Sequence, residues 1–376
     1  MSVFTDAIAN FLGPIKDLLD DNSISEIMIN GPHDIYVEKS GKIVKTDNQF
    51  ATDDNLMSAM RAIAQAVGKT FDKDNPRLDA HLPDGSRIAA VISPISQNGT
   101  TVSIRKFFEE KIVLKDLIDW GAISKDGARF LDICIFLGKN LIVSGGTGSG
   151  KTTLLNVLAS RVSGNERILL IEDTKELKLE EKHLVHLVTR KADVIENTKG
   201  VEIKDLLHSA MRLRPDRIIV GEVRSGEALD LINAMNTGHD GSMGTVHANN
   251  PSESLLRLET LCLMSGTAIP HHSLKLMISN AVQVVVQTKR FSDGKRRVSH
   301  ISEVLGLKDN GEFKVRNIFK WVQKDKLDSG ELIGELIACH YLPTFFHEIK
   351  VNKLPFPSSK FEMPAWAKKQ LKNLAA

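Results

Sequence analysis

The chain has 376 residues, enough for two or three domains at about 150 residues each. Lys and Arg total 49 against 47 Asp and Glu, a formal charge of +2, and only 5% of residues are aromatic; this excludes the strongly basic face of a dedicated nucleic-acid binder and an aromatic stacking platform. Apolar residues at 42% supply a real core, and Cys134, Cys262 and Cys339, far apart in sequence, exclude a disulfide framework and a C-x-x-C zinc knuckle and fit a reducing cytosol.

The start, Met1 to Gly13, lacks the cationic residues and unbroken apolar stretch of a secretory signal. No window reaches the roughly 18 apolar residues of a membrane span. The most apolar region, Phe130 to Val143, is interrupted by Asp132, Lys139 and Asn140. The expectation is a cytoplasmic protein that docks on a membrane complex.

Ser25 to Val44 reads as a hairpin or meander, with turns at Gly31-Pro32 and Ser40-Gly41. Thr52 to Val67 has helical spacing, with Leu56, Met60, Ile63, Ala64 and Val67 on one stripe, Thr52 as N-cap and Gly68 as terminator. Arg87 to Ile95 and Thr100 to Phe107 read as strands. These elements predict a small α+β domain over residues 1–108, followed by a linker and connecting helices over 109–125.

From 126 to 376 the pattern changes. A helix (Gly127 to Gly138) leads into a strand (Asn140 to Ser144), a glycine loop and a helix (Lys151 to Val162). A strand (Arg167 to Glu172), a helix (Ile203 to Arg212), a strand (Arg217 to Glu222) and helices at Glu227 to Met235 and Ser252 to Leu263 follow. Strands alternating with helices predict an α/β fold with a parallel sheet covered on both faces. The tail beyond Leu327, with Pro343, Pro355, Pro357 and Pro364, reads as a loop-rich appendage.

Gly145-Gly146-Thr147-Gly148-Ser149-Gly150-Lys151-Thr152 fits G-x-x-x-x-G-K-[ST] between an apolar strand and an amphipathic helix. Its glycines let backbone N–H groups turn inward around phosphates, and the helix N-terminus adds positive potential. Lys151 reaches the β- and γ-phosphates, Thr152 offers a hydroxyl to Mg²⁺, and Thr153 extends the set expected to hold ATP.

Carboxylates at neighbouring strand ends point toward such a loop. Gly221-Glu222 stands where the Walker B strand usually ends in aspartate, so Glu222 is the best candidate to orient or deprotonate the attacking water. Glu172 is the second candidate, acting through the metal's water shell, with Asp173 and Glu176 beside it. The alternative is that these acids are solvated strand ends or caps. Thr237 to Asn249 is a dense polar stretch with His239 and His247. With no third ligand near, a γ-phosphate sensor at His247 is favoured over a metal site, with His239 near the metal, at a subunit contact or capping a turn.

Three further segments complete the pattern: Met211-Arg-Leu-Arg-Pro-Asp-Arg-Ile-Ile-Val-Gly-Glu-Val-Arg224, Ala234-Met-Asn-Thr-Gly-His-Asp-Gly-Ser242 and Thr245-Val-His-Ala-Asn249. In the N-terminal half stand Ser25-Glu-Ile-Met-Ile-Asn-Gly-Pro32, Leu78-Asp-Ala-His-Leu-Pro-Asp-Gly-Ser-Arg87 and Thr101-Val-Ser-Ile-Arg-Lys-Phe107. Together with the glycine loop they resemble the secretion (traffic) ATPase superfamily, nearest its Tad-pilus motor branch, with VirB-type conjugation ATPases as neighbours. The resemblance spans roughly residues 20 to 345.

It implies a RecA-like C-terminal domain, a homo-hexamer with ATP between the two domains, and Asp-box, Walker B and His-box roles on Glu172, Glu222 and His247. It also implies that Arg87 and Arg105 reach the phosphates, unless they form a strand-face salt bridge, and that Arg212 and Arg214 serve the ring interface or the acids. Inner-membrane platform proteins are the implied partners, with peripheral association at the inner face of the cytoplasmic membrane and no direct contact to nucleic acid. Three departures stand out. The N-terminal extension common in Tad motors is nearly missing, His81 replaces an expected arginine, and the tetracysteine zinc insert of the type II and pilus-extension branches is absent. The alternatives are a conjugative type IV secretion ATPase and a nucleotide-gated scaffold with little turnover.

Overall fold

The computed structural model describes residues 11–39, 41–82, 85–106, 112–180, 183–190 and 198–368. The first ten residues, Pro83, Asp84, Phe107, the start of the connector and the last eight residues fall outside that set. The chain divides into two compact units, Met1–Lys111 and Ile112–Ala376.

The first unit holds α1 (Lys16–Asp20), β1 (Ile24–Asn30), β2 (Ile35–Lys39), β3 (Lys42–Lys45), α2 (Asp53–Ala66), β4 (Arg77–His81), β5 (Arg87–Val91) and β6 (Thr101–Arg105). Its six strands form one sheet in the order β3-β2-β1-β6-β5-β4. The Thr52 hydroxyl caps α2 by accepting from Asn55 N at 3.2 Å. The helix buries Leu56, Ala59, Met60, Ile63 and Ala64 in a core shared with Ile27, Ile29, Ile88 and Ile104 of the strands. The sequence pattern does not mark β4 as a strand. Its Arg77-Leu-Asp-Ala-His text has one large apolar residue, and its place as edge partner of β5 is tertiary.

The second unit runs α3 (Leu114–Asp119), α4 (Lys125–Phe136), β7 (Leu141–Gly145), α5 (Lys151–Ala159), β8 (Ile168–Glu172), β9 (Leu184–Val188), α6 (Ile203–Ala210) and β10 (Arg217–Val220). It continues with α7 (Glu227–Asn236), β11 (Met243–Val246), α8 (Pro251–Leu263), α9 (His271–Ala281), β12 (Val284–Arg290), β13 (Arg296–Leu307), β14 (Phe313–Lys326), β15 (Leu332–Ala338) and α10 (Phe346–Val351). The nine-stranded sheet is ordered β15-β14-β13-β12-β7-β11-β10-β8-β9. From β12 to β9 all neighbours are parallel, as the alternation of strands and helices predicts. One face packs α4, α5 and the C-terminal segment; the other packs α6, α7, α8 and α9. Every residue of β7, β8, β10 and β11 is buried in consequence, the signature of strands covered on both sides.

Two expectations are corrected. The sheet is not wholly parallel, because β13, β14 and β15 extend it antiparallel beyond β12. The region after Leu327 is not simply loop-rich: it contributes β15 and α10, then a segment that lays Phe345, Phe346, Phe356 and Phe361 around Phe130 of α4 and Phe319 of β14. Phe361 meets Phe130 edge-on at 5.7 Å and Phe356 at 5.1 Å.

Asn140, fully buried, ties the second unit together. Its Nδ2 donates to Met235 O at 3.2 Å and Ala281 O at 2.8 Å, and its Oδ1 accepts from Ser242 N at 3.0 Å, joining the ends of α7 and α9 to the entry of β11. A buried amide with its donors and acceptors used is a stabilising contact; with a partner missing it would cost about 1–3 kcal/mol. Among the described residues no helix is long and apolar enough to cross a membrane.

Candidate functional site

The loop after β7 closes on itself before α5 begins. Gly148 and Gly150 have φ of 66° and 92°, a region that side-chain-bearing residues avoid. Gly145 is required for a different reason: a Cβ there would stand 2.3 Å from both the Ser149 and Thr288 hydroxyl oxygens. Lys151 opens α5, is nearly buried, and donates from Nζ to Gly146 O at 3.0 Å. Thr152 and Thr153, in the first turn of α5, are partly exposed.

Three residues far apart in sequence meet at the same edge of the sheet. Lys151 Nζ lies 3.3 Å from His247 Nδ1 and 3.2 Å from its Nε2, and that Nε2 lies 2.9 Å from Glu222 Oε1. Glu222 follows β10 and His247 follows β11, so parallel neighbours carry both acid and imidazole to the loop after β7. Arg224 Nη2 donates to the other Glu222 oxygen at 2.5 Å. Burial pushes the Glu222 carboxyl up, but Arg224, with help from His247 and Lys151, outweighs it and holds the group below the usual glutamate range. For His247, burial first and the Lys151 charge second push the imidazole below its ordinary value of 6.5, against the opposing pull of Glu222. This matches a neutral ring that donates from Nε2 to Glu222 while the Lys151 ammonium lies about equally close to both of its nitrogens. The structure thus brings together Lys151, Glu222 and His247, and adds Arg224, which the sequence reading did not single out.

Glu172 departs from the expected metal-facing acid. It is 2% exposed. Its Oε1 accepts from Glu176 N at 3.1 Å and Leu177 N at 3.0 Å, and its Oε2 is 2.6 Å from His186 Nε2 on β9. The carboxylate anchors the turn that presents Asp173 and Glu176. It also explains the missing aspartate at the end of β10: a Cβ at Gly221 would lie 3.0 Å from Glu172 Cγ. Asp173 remains in reach of the site, with Oδ2 at 3.7 Å from Arg224 Nη1.

His239 is a cap, not a neighbour of the loop: its Nδ1 lies 3.1 Å from Ala234 O at the end of α7. Gly241 leaves room for the buried Arg217, whose Nη1 a Cβ there would meet at 2.3 Å. Arg212, just past the end of α6, donates to the His208 carbonyl at 2.9 Å. In the first unit, Arg87 and Arg105 are directly opposed on β5 and β6, and Arg87 Nε is 3.3 Å from Asp79 Oδ1. Arg87 Nη2 also donates to Asp79 Oδ2 at 3.4 Å, so this arginine forms the strand-face salt bridge that is the alternative to a phosphate contact.

Among the described residues no group of three or more His, Cys, Asp and Glu side chains is arranged to hold a metal ion. The oxygens flanking the loop, from Thr152, Glu222 and Asp173, have the hard-donor chemistry that Mg²⁺ takes when substrate phosphates and water supply most of its shell. The three thiols are free, and burial pushes Cys262 up to about 12 and Cys339 up to about 11, so neither is a nucleophile.

The chain matches the type II/IV secretion system protein family over residues 9–304. It is 31% identical to the type IV secretion system protein VirB11 of Bartonella quintana over 82% of this chain and 94% of that one. It is 33% identical to the conjugal transfer protein TrbB of Rhizobium radiobacter over 78% and 87% of the two chains. Among solved structures it resembles the pilus retraction motor PilT with bound ADP, at a TM-score of 0.53, 19% identity, and coverage of 98% of this chain and 88% of that one.

Proposed function

The chain belongs to the type II/IV secretion system protein family and is an ATPase of it, and on that premise we propose that it is the hexameric motor of a Tad-type pilus or secretion machine. The observation that carries the chemistry is the contact chain Lys151–His247–Glu222 at the mouth of the phosphate loop. Loop amides and Lys151 hold the triphosphate. Thr152 is the protein ligand best placed for Mg²⁺, which when bound neutralises charge on the β- and γ-phosphates. Glu222, held in its charged form, accepts a hydrogen bond from the attacking water and aims it. His247 sits between the lysine and the acid, so a terminal phosphate that draws Lys151 away leaves the ring free to donate to it. Arg87 and Arg105 add charge to the transferring phosphoryl group; such an arginine is worth roughly 10³–10⁵ in rate in GTPases. The cycle of nucleotide binding and hydrolysis pushes on inner-membrane platform proteins.

The test is Mg²⁺-dependent ATP hydrolysis by the purified hexamer. Lys151→Ala and Glu222→Gln should abolish it, Glu222→Gln while still binding ATP. Full turnover in either variant would sink the mechanism. A second reading, a conjugative type IV secretion ATPase, is favoured by the relatives, which are named for type IV secretion and conjugal transfer. Neighbouring genes decide between them: a prepilin and two platform proteins indicate the pilus, a relaxase and a coupling protein indicate conjugation.

A further inference from the structure

A phosphate loop works when its peptide N–H groups turn inward, which turns carbonyls outward, and each outward carbonyl needs a donor. The Gly148 carbonyl, at the tip of this loop, finds one 148 residues away: Arg296 Nε donates to it at 2.8 Å. Gly148 O and Ser149 N–H share one peptide plane, so holding the oxygen fixes the direction of the amide. Glycine at 148 and 150 removes the side chains that would otherwise resist a peptide flip. Inside the loop Gly146 O accepts from Ser149 N at 3.4 Å, Ser149 Oγ at 2.8 Å and Lys151 Nζ at 3.0 Å, and the Arg296 contact holds the same peptide from outside.

The β12–β13 hairpin supplies that contact from a rigid frame. Gln287 pairs with His300 and Thr288 with Val298, so Ser299 is an extra residue, a bulge that twists the hairpin end. The Ser299 hydroxyl donates to Gln287 O at 3.3 Å. At the hairpin tip the buried Arg297 pairs with Asp293 at 2.7 Å and stacks on Phe291 and Trp321, and Asp293 also accepts from Leu332 N at 3.1 Å. The same hairpin grips the loop from beneath. Thr288 lies opposite Gly145, donates from Oγ1 to Ser144 O at 3.1 Å, and lies 2.8 Å from the Ser149 hydroxyl.

We propose that Arg296 is a positioning residue of the nucleotide site: from the bulged β12–β13 hairpin it holds the Gly148 carbonyl outward and so sets the loop amides toward the β-phosphate of ADP or ATP. This rests on the reading of Gly145–Thr152 as the nucleotide cradle. Since the effect passes through amides at the β-phosphate, both nucleotides should feel it equally.

The experiment is calorimetric titration of the purified full-length protein with ADP and with ATP, together with steady-state hydrolysis. Arg296→Ala should raise both dissociation constants about tenfold, equivalent to about 1.4 kcal/mol. KM should rise with them, kcat should stay within about twofold, and the unfolding midpoint of the nucleotide-free protein should not move. Arg296→Lys, which keeps one cationic donor, should recover most of the affinity. Should Arg296→Ala fail to fold, Arg296→Gln, which keeps the stem and loses the guanidinium, is read in the same way. Unchanged affinity while Lys151→Ala abolishes binding would overturn the proposal. So would a loss confined to ATP, which would mean a direct γ-phosphate contact, or a fall in kcat at constant affinity. Normal nucleotide binding by Lys151→Ala would bring down the cradle reading, and this proposal with it.

Discussion

From β12 to β9 the strands of the second unit run parallel, with β7, β8, β10 and β11 covered on both faces, whereas β13, β14 and β15 are antiparallel and partly exposed to solvent. Parallel strands all end at one edge, so the residues that follow β7, β10 and β11 converge: Lys151, Glu222 and His247 meet there from three separate stretches of sequence. Antiparallel strands deliver their ends to both edges and cannot gather a site this way. What the extension offers is packing, through the phenylalanine cluster that the C-terminal segment closes over β14 and α4, and a hairpin that braces the loop. Chemistry and stability are therefore separable in this unit, and substitutions on either side test that separation.

The largest expected effect lies in the parallel half. Glu222→Gln should lower kcat by about 10²–10⁴, the usual contribution of a positioned general base, with no change in thermal unfolding. A comparable fall in stability would break the contrast. Phe361→Ala, in the extension, should cost about 3–5 kcal/mol in denaturant unfolding, yet leave kcat unchanged at temperatures where the variant is folded. A catalytic defect in the folded variant would join the two halves functionally. Glu172→Gln separates anchor from catalyst. Weakening a buried charged acceptor of two amides and His186 should cost about 1–3 kcal/mol of stability, with a loss of kcat far smaller than that of Glu222→Gln; equal losses would restore Glu172 to the chemistry. The smallest effect is a proton. His247 should titrate below 6.5 in nucleotide-free protein, followed by its imidazole NMR signals. A histidine whose folded value is lowered binds its proton more readily when unfolded, so this contribution to stability is present above about pH 6.5 and is lost as the pH falls. A midpoint at or above 6.5 would contradict the Lys151 contact.

Much of the site is legible in the residues themselves. Gly145–Thr152 declares its loop because phosphate binding needs glycine, lysine and a hydroxyl at set spacing, and that need is local. Glu222 is legible as an acid at a strand end, and His247 as a histidine in a dense polar stretch. The strand that brings His247 in is not. Met243-Gly-Thr-Val246 reads as part of a polar loop, yet it is a central strand, buried on both faces. Its glycine is dictated by Leu231, whose Cδ2 would meet a Cβ at Gly244 at 3.1 Å. Glu172 illustrates the opposite limit. Its position at the end of β8 is plain from the sequence, but three hydrogen bonds from residues 176, 177 and 186 turn its carboxylate into an anchor.

The sequence by itself determines the α/β plan with its alternating strands and helices, the glycine-rich loop and the near-neutral charge. These follow from periodicity and local backbone chemistry. Tertiary structure alone decides which acid faces the loop, which arginine braces it, and how the proline-rich end becomes part of the core. Each of those depends on strands and turns separated by tens to hundreds of residues being placed side by side, and no local pattern encodes that adjacency.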